Sequence, residues 1–335
     1  MAVPGVVKAA QSLLGAIGVV LLALVTRQAA GPAAGVVAGC AAALYPPLVW
    51  TTAYAFSETL FMAIALGAVL LLSPALDKGR IRPLRPVFAA GLLAGAATLT
   101  RPAMLFFLAL VALWLITRRR VLAVVVLAAG SLLVVAPWTA RNYAVHGRFV
   151  LVAAEGGVTF WTGNHPFAIG EGDMAANPAI KRDFREFEAR LPGRTNEEIE
   201  GLYYREAFRF ILDHPGRWAW LTVKKSFYTV VPIGPSCRLH SMRYFVLSLV
   251  SYLVVLPMGL AGFVLLKRAG SPPVTLALLA ASAVVVSLAF FPQERFRIPV
   301  IDPVLVAWAS ALVATFFGAV GRVVGGAAAR EASRS

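Results

Sequence analysis

Long apolar stretches separated by short basic links dominate this sequence and restrict it to few folds. Several of these windows reach about 18 residues, roughly the length that a helix needs to cross a ~30 Å hydrocarbon core. The chain is 59% hydrophobic and only 14% charged, whereas soluble domains carry about 25% charged residues. We therefore predict an all-α polytopic membrane protein with about nine transmembrane helices. The predicted spans are 4–26, 33–52, 56–73, 86–100, 102–116, 121–138, 243–266, 272–291 and 303–320.

The basic residues lie mainly in the links between these spans and in the C-terminal tail. They give the chain a formal net charge of +15, and they cluster at 78–85, at 118–120, at 267–268 and beyond residue 320. Because positively charged loops stay on the cytoplasmic side, this placement predicts that all four clusters face the cytoplasm. A nucleic-acid partner is not expected, since the charge follows the membrane topology.

The alternation of spans divides the chain into three predicted parts. Residues 1–138 form a transmembrane module of about six spans, and 139–242 form an external loop with amphipathic and interfacial helices. Residues 243–335 supply about three further spans and a short basic tail. We expect the protein in a bacterial inner or plasma membrane, with Arg101 and the turn before Glu58 on the extracytoplasmic side.

Two segments allow alternative interpretations. The short stretches 86–100 and 102–116 form either a hairpin or one helix kinked at Pro102. A single helix would move the arginines of 118–120 outside, so a hairpin is favoured. The apolar run 218–233 contains Lys224 and Lys225, and each lysine would cost about 2.5–3.5 kcal/mol at the bilayer centre. An interfacial helix is therefore favoured over a span.

One helix of the external part can be predicted from its own signals. Thr195 and Glu198 form a capping box, and His214-Pro215 ends the helix. Its apolar residues lie on one face, so we expect this helix on the membrane domain or at the lipid surface. These residues are Ile199, Leu202, Tyr203, Ala207, Phe210 and Ile211.

Polar side chains gather at the outer ends of the predicted spans. Glu58 follows Ser57, so it either belongs to a helix start capped by Ser57 or faces an external pocket as a base or cation ligand. Arg101 and Arg141, the latter followed by Asn142, are either snorkelling interfacial groups or ligands of an anion.

The stretch FFPQERFRIPVIDP, residues 290–303, joins the last two spans and carries several charges. On an extended link Arg295 and Arg297 would point the same way, because side chains alternate along a strand. Two guanidiniums placed in this way can clamp a phosphate with several donors. The structural alternative is that Glu294 pairs with one of the two arginines.

The stretch 155–173 is rich in glycine but lacks the spacing of a phosphate-binding loop. Within it, Trp161 can stack on a sugar and Asn164 can hydrogen-bond to one. The histidines match no metal motif, so no metal site is predicted, and a divalent cation remains possible as a cofactor. Two cysteines, Cys40 and Cys237, do not make a disulfide framework. Together these features predict a substrate with a lipid tail, a phosphate and a sugar.

Four motifs in order resemble a known family. They are LYPPLVWTTAYAFSETLF (44–61), GLLAGAATLTRPAM (91–104), APWTARNYAVHGRFVLVAAEGGVTFWTGNHPFAIG (136–170) and FFPQERFRIPV (290–300). With these motifs the chain resembles bacterial relatives of the protein O-mannosyltransferases and lipid A aminoarabinose transferases, which are glycosyltransferases of the GT-C class and family 39-like.

The resemblance implies an inverting transfer outside the cytoplasm, from a polyprenyl-phosphate sugar to a hydroxyl of a protein, lipid or glycan. In such a transfer a carboxylate deprotonates the acceptor, and basic groups stabilise the leaving lipid phosphate. Glu58 matches the acidic position after the third helix of the chain, and we take it as the catalytic candidate. Arg101, Arg295 and Arg297 match basic positions suited to the lipid phosphate.

The sequence departs from the family at its start. The family begins with a helix and a first external loop that carries an acidic residue, usually Asp, and we interpret this sequence as lacking both. Nine spans with a cytoplasmic tail would also place Met1 outside, so we expect that a leading helix is missing. Two other functions stay open, namely a transporter or flippase of a lipid-linked substrate and a non-catalytic membrane protein that binds lipid phosphate.

Overall fold

The computed structural model describes residues 4–80, 82–172, 174–191, 193, 196–231 and 241–332. All regular elements in these ranges are α-helices, as predicted. The membrane part consists of α1 (Gly5–Ala30), α2 (Pro32–Leu44), α3 (Pro46–Thr51), α4 (Ser57–Leu76), α5 (Arg85–Thr100), α6 (Met104–Thr117), α7 (Val121–His146), α12 (Met242–Arg268), α13 (Val274–Ala289), α14 (Glu294–Arg297) and α15 (Ile301–Ala332). Between α7 and α12 lie α8 (Gly156–Gly163), α9 (Pro178–Ala189), α10 (Asn196–Asp213) and α11 (Pro215–Val230); we call these four helices the cap.

Each predicted span coincides with a helix or, at 33–52, with two. Five helices, α1, α4, α7, α12 and α15, are long and apolar enough to cross a membrane, while α2, α6 and α13 are apolar but shorter. The second span breaks at Tyr45, whose backbone is extended, because Pro46 disfavours the helical conformation of the residue before it. The number of nine spans stays a prediction.

The helices α5 and α6 run in opposite directions and form a hairpin, which is the arrangement that the sequence favours. Gly91 of α5 lies against Leu127 and Gly130 of α7, and Gly95 lies against Ser131. Since the contacts advance together along both chains, α5 and α7 run parallel, and α6 between them must run the opposite way. The glycines bring the two backbones together, as small residues do between membrane helices.

Two hydrogen bonds place the basic links at one end of the helices. Arg120 Nη1 donates to the Ala75 carbonyl oxygen at 3.2 Å, and the Thr275 amide donates to Asp77 Oδ1 at 2.8 Å. The links 77–85 and 118–120 therefore meet the start of α13 at what we call the basic end. At the opposite end, the cap end, Gln11 Nε2 donates to the Phe56 carbonyl oxygen at 2.8 Å. The side of the membrane that each end faces stays a prediction.

The cap has a hydrophobic core of its own, and one expectation about it was wrong. The apolar face of α10 packs on α8 inside the cap rather than on the membrane helices, because Trp161 and Leu221 supply it with apolar partners. This core contains Trp161, Ala168, Ile180, Ile199, Tyr203, Ala207, Phe210 and Leu221. Thr195, the predicted capping residue, lies outside the described residues. Before the cap, α7 continues to His146, beyond the predicted end at 138.

The helix α11 has two different faces. Leu221, Lys225 and Thr229 are buried, while Trp220, Val223 and Phe227 are each 55% exposed. An exposed apolar face that contains tryptophan suits a membrane–water interface. The interfacial interpretation of this segment thus gains a physical basis, and Lys225 points to the inside of the cap instead of toward lipid.

Candidate functional site

The link between α13 and α15 lies at the cap end and does not have the predicted extended form. Residues Glu294–Arg297 make one turn of helix, α14. Positions two apart on a helix are rotated by about 200°, so Arg295 and Arg297 point to different sides. The expectation that both guanidiniums share a face was wrong for this reason.

Arg297 belongs to a buried network. Its Nε lies 2.9 Å from Asp302 Oδ1, and its guanidinium carbon lies 3.8 Å from the centroid of the Tyr252 ring. The Tyr45 hydroxyl donates to Asp302 Oδ2 at 3.0 Å. Removing one partner of a buried ion pair typically costs about 3–5 kcal/mol. The network therefore fixes α14 against α12, α15 and the break between α2 and α3.

Arg101 and Arg295 meet at Phe296. The Arg101 guanidinium carbon lies 4.7 Å from the ring centroid, and that of Arg295 lies 5.1 Å from it. Arg101 Nη1 also forms a 2.6 Å ion pair with Glu58 Oε1, and Arg295 Nε donates to Gln293 Oε1 at 3.0 Å. We call Glu58, Arg101, Arg295 and Phe296 the arginine cluster.

The electrostatics of the arginine cluster favour an anion. Burial lowers the pKa of Arg101, the Glu58 carboxylate opposes this effect, and the charge of Arg295 lowers the pKa further. Two cations thus lie close together with Glu58 as the carboxylate in direct contact. An anionic group placed between the two guanidiniums would relieve their mutual repulsion.

A cavity of about 590 Å³ opens beside the arginine cluster. Arg295 lies in its wall, so the cavity and the cluster share one residue. Its aromatic lining is Trp50, Tyr54, Phe56, Tyr244 and Phe291, and its polar lining includes Thr51, Thr159, Thr162, Gln293 and Glu294. Aromatic faces combined with hydroxyls and a carboxylate suit a polar ligand with one apolar face, such as a sugar ring.

Glu58 is not in the wall of this cavity, although the sequence made it the catalytic candidate. Its side chain is 4% exposed and is held by Arg101. The alternative interpretation is right about the helix start, since Glu58 lies in the first turn of α4, but the N-cap residue is Phe56, without a side-chain cap, and not Ser57. A catalytic role of Glu58 stays a prediction, and the geometry favours a role in positioning Arg101.

The other predicted site residues lie apart from the arginine cluster. Asn142 is 3% exposed and donates to the carbonyl oxygens of Val150 at 3.1 Å and Val152 at 3.2 Å, which ties the chain after α7 back to that helix. Arg141 donates to Asn142 Oδ1 at 3.2 Å and lies over the Trp138 ring at 5.2 Å.

Trp161 and Asn164 are inside the cap rather than in contact with the cavity. Trp161 is 3% and Asn164 1% exposed. The Asn164 side chain accepts hydrogen bonds from Lys225 Nζ at 3.0 Å and Trp218 Nε1 at 3.1 Å, and it donates to the Ala289 carbonyl oxygen at 2.9 Å. The first part of the predicted glycine-rich stretch is the helix α8, of which Thr159 and Thr162, not Trp161, line the cavity.

Three features of the site could not be read from the sequence. These are the shared ring of Phe296, the position of Glu294 in the cavity wall and the buried amine of Lys225. The sequence did signal each place, because FFPQERFRIPVIDP concentrates charge and Lys225 interrupts an apolar run. Within the described residues, no three His, Cys, Asp or Glu side chains gather in a way that would hold a metal ion.

The fold and the site together define a polytopic helical membrane protein with an anion-binding candidate at one end of its helices. Residues 5–140 match the model of the family described as dolichyl-phosphate-mannose-protein mannosyltransferase. This segment runs from α1 into α7 and includes Glu58 and Arg101. No curated protein and no solved structure matches the chain. The match supports a membrane glycosyltransferase of the GT-C type, and it includes two of the four motifs on which the resemblance rests, those at 44–61 and 91–104.

Proposed function

We propose that the chain transfers a sugar from a polyprenyl-phosphate donor to an acceptor hydroxyl on the extracytoplasmic side of the membrane, with inversion at the anomeric carbon. The observation that carries this proposal is the pair of guanidiniums at Phe296 beside an aromatic-walled cavity. The family match supports the reaction class, since its description names a lipid-linked mannose donor.

The arginine cluster fits the phosphate of such a donor. Guanidiniums form charge-assisted hydrogen bonds to phosphate oxygens, and Arg101 and Arg295 approach one ring from two parts of the chain. Glu58 holds Arg101 in place through the 2.6 Å ion pair. Because the cluster lies at the helix ends, the apolar tail of the donor can remain along the membrane helices while its phosphate is bound.

The cavity fits the sugar. Trp50 and Tyr54 offer ring faces for stacking, and Thr159 and Thr162 offer hydroxyls. Arg295 belongs both to the cavity wall and to the arginine cluster, so a sugar in the cavity would lie next to a phosphate bound at the cluster. An acceptor hydroxyl that enters the cavity would approach the anomeric carbon from the side away from the phosphate, which gives an inverted product.

Binding of polyprenyl phosphate to the full chain in lipid nanodiscs tests the proposal. Charge-assisted hydrogen bonds contribute about 1.5–3 kcal/mol each, so Arg101→Gln and Arg295→Gln should each weaken binding about 10- to 100-fold. Arg182→Gln, an exposed cap residue, removes the same charge and should bind like the wild type. Equal affinity in all four proteins would overturn the proposed phosphate site.

Release of polyprenyl phosphate from polyprenyl-phosphate mannose separates transfer from the alternatives. A flippase or a non-catalytic lipid-binding protein would bind the donor without breaking its sugar–phosphate bond. A glycosyltransferase should release polyprenyl phosphate when an acceptor alcohol or water is present. Binding without release would therefore contradict the transferase function.

A further inference from the structure

The turn between α6 and α7 has an arginine in a backbone conformation that usually belongs to glycine. Among the described residues, Arg119 is the one residue other than glycine with a positive φ, of 56°. Its amide donates to the Ile116 carbonyl oxygen at 2.8 Å, and the next amide, of Arg120, donates to the Leu115 carbonyl oxygen at 2.8 Å. These hydrogen bonds close the end of α6 in the way that ordinarily has glycine at the left-handed position. A glycine at position 119 would therefore form the same turn without the steric cost that a Cβ brings.

Helix capping and membrane topology do not account for this choice of residue. Arg118 and Arg120 flank Arg119 and already supply the positive charge that favours a helix C-terminus and a cytoplasmic link. Arg118 lies over the Trp114 ring at 4.5 Å, and Arg120 donates to the Ala75 carbonyl oxygen. Within the part of the chain that the structure describes, the exposed side chain of Arg119 forms neither an ion pair nor a hydrogen bond. The donors of its guanidinium are therefore available to a ligand.

The link between α4 and α5 adds positive charge at the same end of the helices. Gly79 of this link lies against Arg120, since a Cβ at Gly79 would be 3.3 Å from Arg120 Nη2. Asp77, the carboxylate in the two links, accepts hydrogen bonds from Thr275. The uncompensated positive charge of the two links attracts an anion. The exposed basic residues of the two links are Lys78, Arg80, Arg82, Arg85, Arg118 and Arg119.

Apolar side chains beside the turn favour a lipid over a soluble anion. Leu113 and Ile116 near the end of α6, and Val121 and Leu122 at the start of α7, are each more than half exposed. A phospholipid whose headgroup lies at Arg119 would have its acyl chains beside these side chains. A free phosphate would make no use of them.

We propose that the two links at the basic end bind the phosphate of an anionic phospholipid and that Arg119 contacts it. Basic pockets between membrane helices bind anionic headgroups, and a guanidinium forms charge-assisted hydrogen bonds to phosphate oxygens. This contact offsets the cost of the left-handed backbone at Arg119. The site is at the opposite end of the helices from the arginine cluster, so it does not depend on the proposed transfer.

Lipid binding to the full chain in detergent, measured by native mass spectrometry, tests the site. The wild type should bind phosphatidylglycerol more tightly than phosphatidylcholine. Arg119→Gly should weaken the binding of phosphatidylglycerol about fivefold or more, since it removes a basic contact to the headgroup. Arg268→Gln is the matched control, because it removes an exposed charge from the link between α12 and α13 and should bind like the wild type.

Thermal unfolding in nanodiscs separates lipid binding from a structural role of Arg119. In phosphatidylcholine alone, Arg119→Gly should unfold at the temperature of the wild type or above it, because glycine adopts the left-handed conformation freely. Addition of phosphatidylglycerol should raise the unfolding temperature of the wild type more than that of Arg119→Gly, since a ligand stabilises the folded state that binds it.

Several outcomes would overturn the proposal. Wild-type binding by Arg119→Gly, or an equal loss in Arg268→Gln, would leave only a diffuse attraction between basic links and anionic lipid. A loss in Arg101→Gln but not in Arg119→Gly would place the lipid at the arginine cluster. Displacement of phosphatidylglycerol by an equal concentration of inorganic phosphate would show that the site takes a free anion. Destabilisation of Arg119→Gly in phosphatidylcholine would assign Arg119 a structural role.

Discussion

The amino group of Lys225 is buried inside the cap, on a helix face that ordinarily has apolar side chains. It is fully buried, and it donates to Asn164 Oδ1 at 3.0 Å and to the Leu288 carbonyl oxygen at 3.1 Å. The Leu288 carbonyl lies in the last turn of α13, where helix carbonyls lack partners of their own. Lys225 thus connects the cap to the membrane helix that leads into the cavity wall.

Burial makes the stability contributed by Lys225 depend on pH. Desolvation lowers the pKa of Lys225 from 10.5 to about 7. Between these values the unfolded chain binds the proton and the folded chain does not, so stability should rise with pH across this window, by up to about 1.4 kcal/mol per pH unit. Below about pH 7 both states are protonated and this contribution no longer changes.

Thermal unfolding between pH 6 and pH 10 tests this dependence. Lys225→Met should flatten the slope above pH 7, and Lys224→Met, which alters the partly exposed neighbour, should keep it. Identical slopes in the wild type and Lys225→Met would show that another group sets the pH dependence.

The residues of the arginine cluster could be predicted individually but not as a group. Glu58, Arg101 and Arg295 stood out because charges are rare in so apolar a chain and each one lies at a span end. Their association depends on the Phe296 ring, and no spacing rule brings Arg101 to a residue almost two hundred positions later. Trp161 and Asn164 have side chains of the type that binds sugars and lie close in sequence to residues that line the cavity. Both side chains are nevertheless buried inside the cap.

At the scale of elements, α14 shows why some local structure could not be predicted. A turn of four residues is not stable alone, because helix nucleation is unfavourable. It forms here because Arg297 reaches Asp302 and, through it, Tyr45, which is 257 positions away. The membrane helices were predictable because they do not depend on such distant contacts. In lipid, a helix satisfies the hydrogen bonds of its backbone groups within its own segment.

Two glycines allow the cap to approach the link between α13 and α15. A Cβ at Gly163 would collide with the Phe290 carbonyl oxygen, and one at Gly172 would collide with the Phe291 ring. Both neighbours belong to the segment that leads into α14. The cap therefore helps to define the cavity through close contact at these two positions.

Alanine substitution tests this contact. Gly163→Ala should destabilise the protein by about 1–3 kcal/mol, because the opposing atom is backbone and cannot rotate away, and it should also weaken polyprenyl phosphate binding. Gly201→Ala, in α10 with nothing near its position, should stabilise by about 0.5–1 kcal/mol. Thermal unfolding and binding in nanodiscs measure both effects. A Gly163→Ala protein as stable as the Gly201→Ala protein would contradict the proposed tight packing.

At the scale of the whole molecule, the two ends of the membrane helices differ in chemistry. The links 77–85 and 118–120 meet at the basic end, while Glu58, Arg101, Arg295 and the cap share the other end. Hydropathy and charge predicted this division, because they reflect lipid and the positive-inside rule and do not depend on detailed packing. The internal core of the cap was not predictable in the same way, since an amphipathic helix shows that one face is buried but not against what.

Cysteine labelling tests which side of the membrane each end faces. In a protein with Cys40 and Cys237 replaced by serine, Lys181→Cys reports on the cap and Ser271→Cys on the basic end, and both native positions are exposed. A membrane-impermeant maleimide should label Lys181→Cys in intact spheroplasts and Ser271→Cys only after disruption. The expected direction follows from retention of the basic links in the cytoplasm. The reverse pattern would place the cavity in the cytoplasm, where the acceptor hydroxyls of an extracytoplasmic transfer could not reach it.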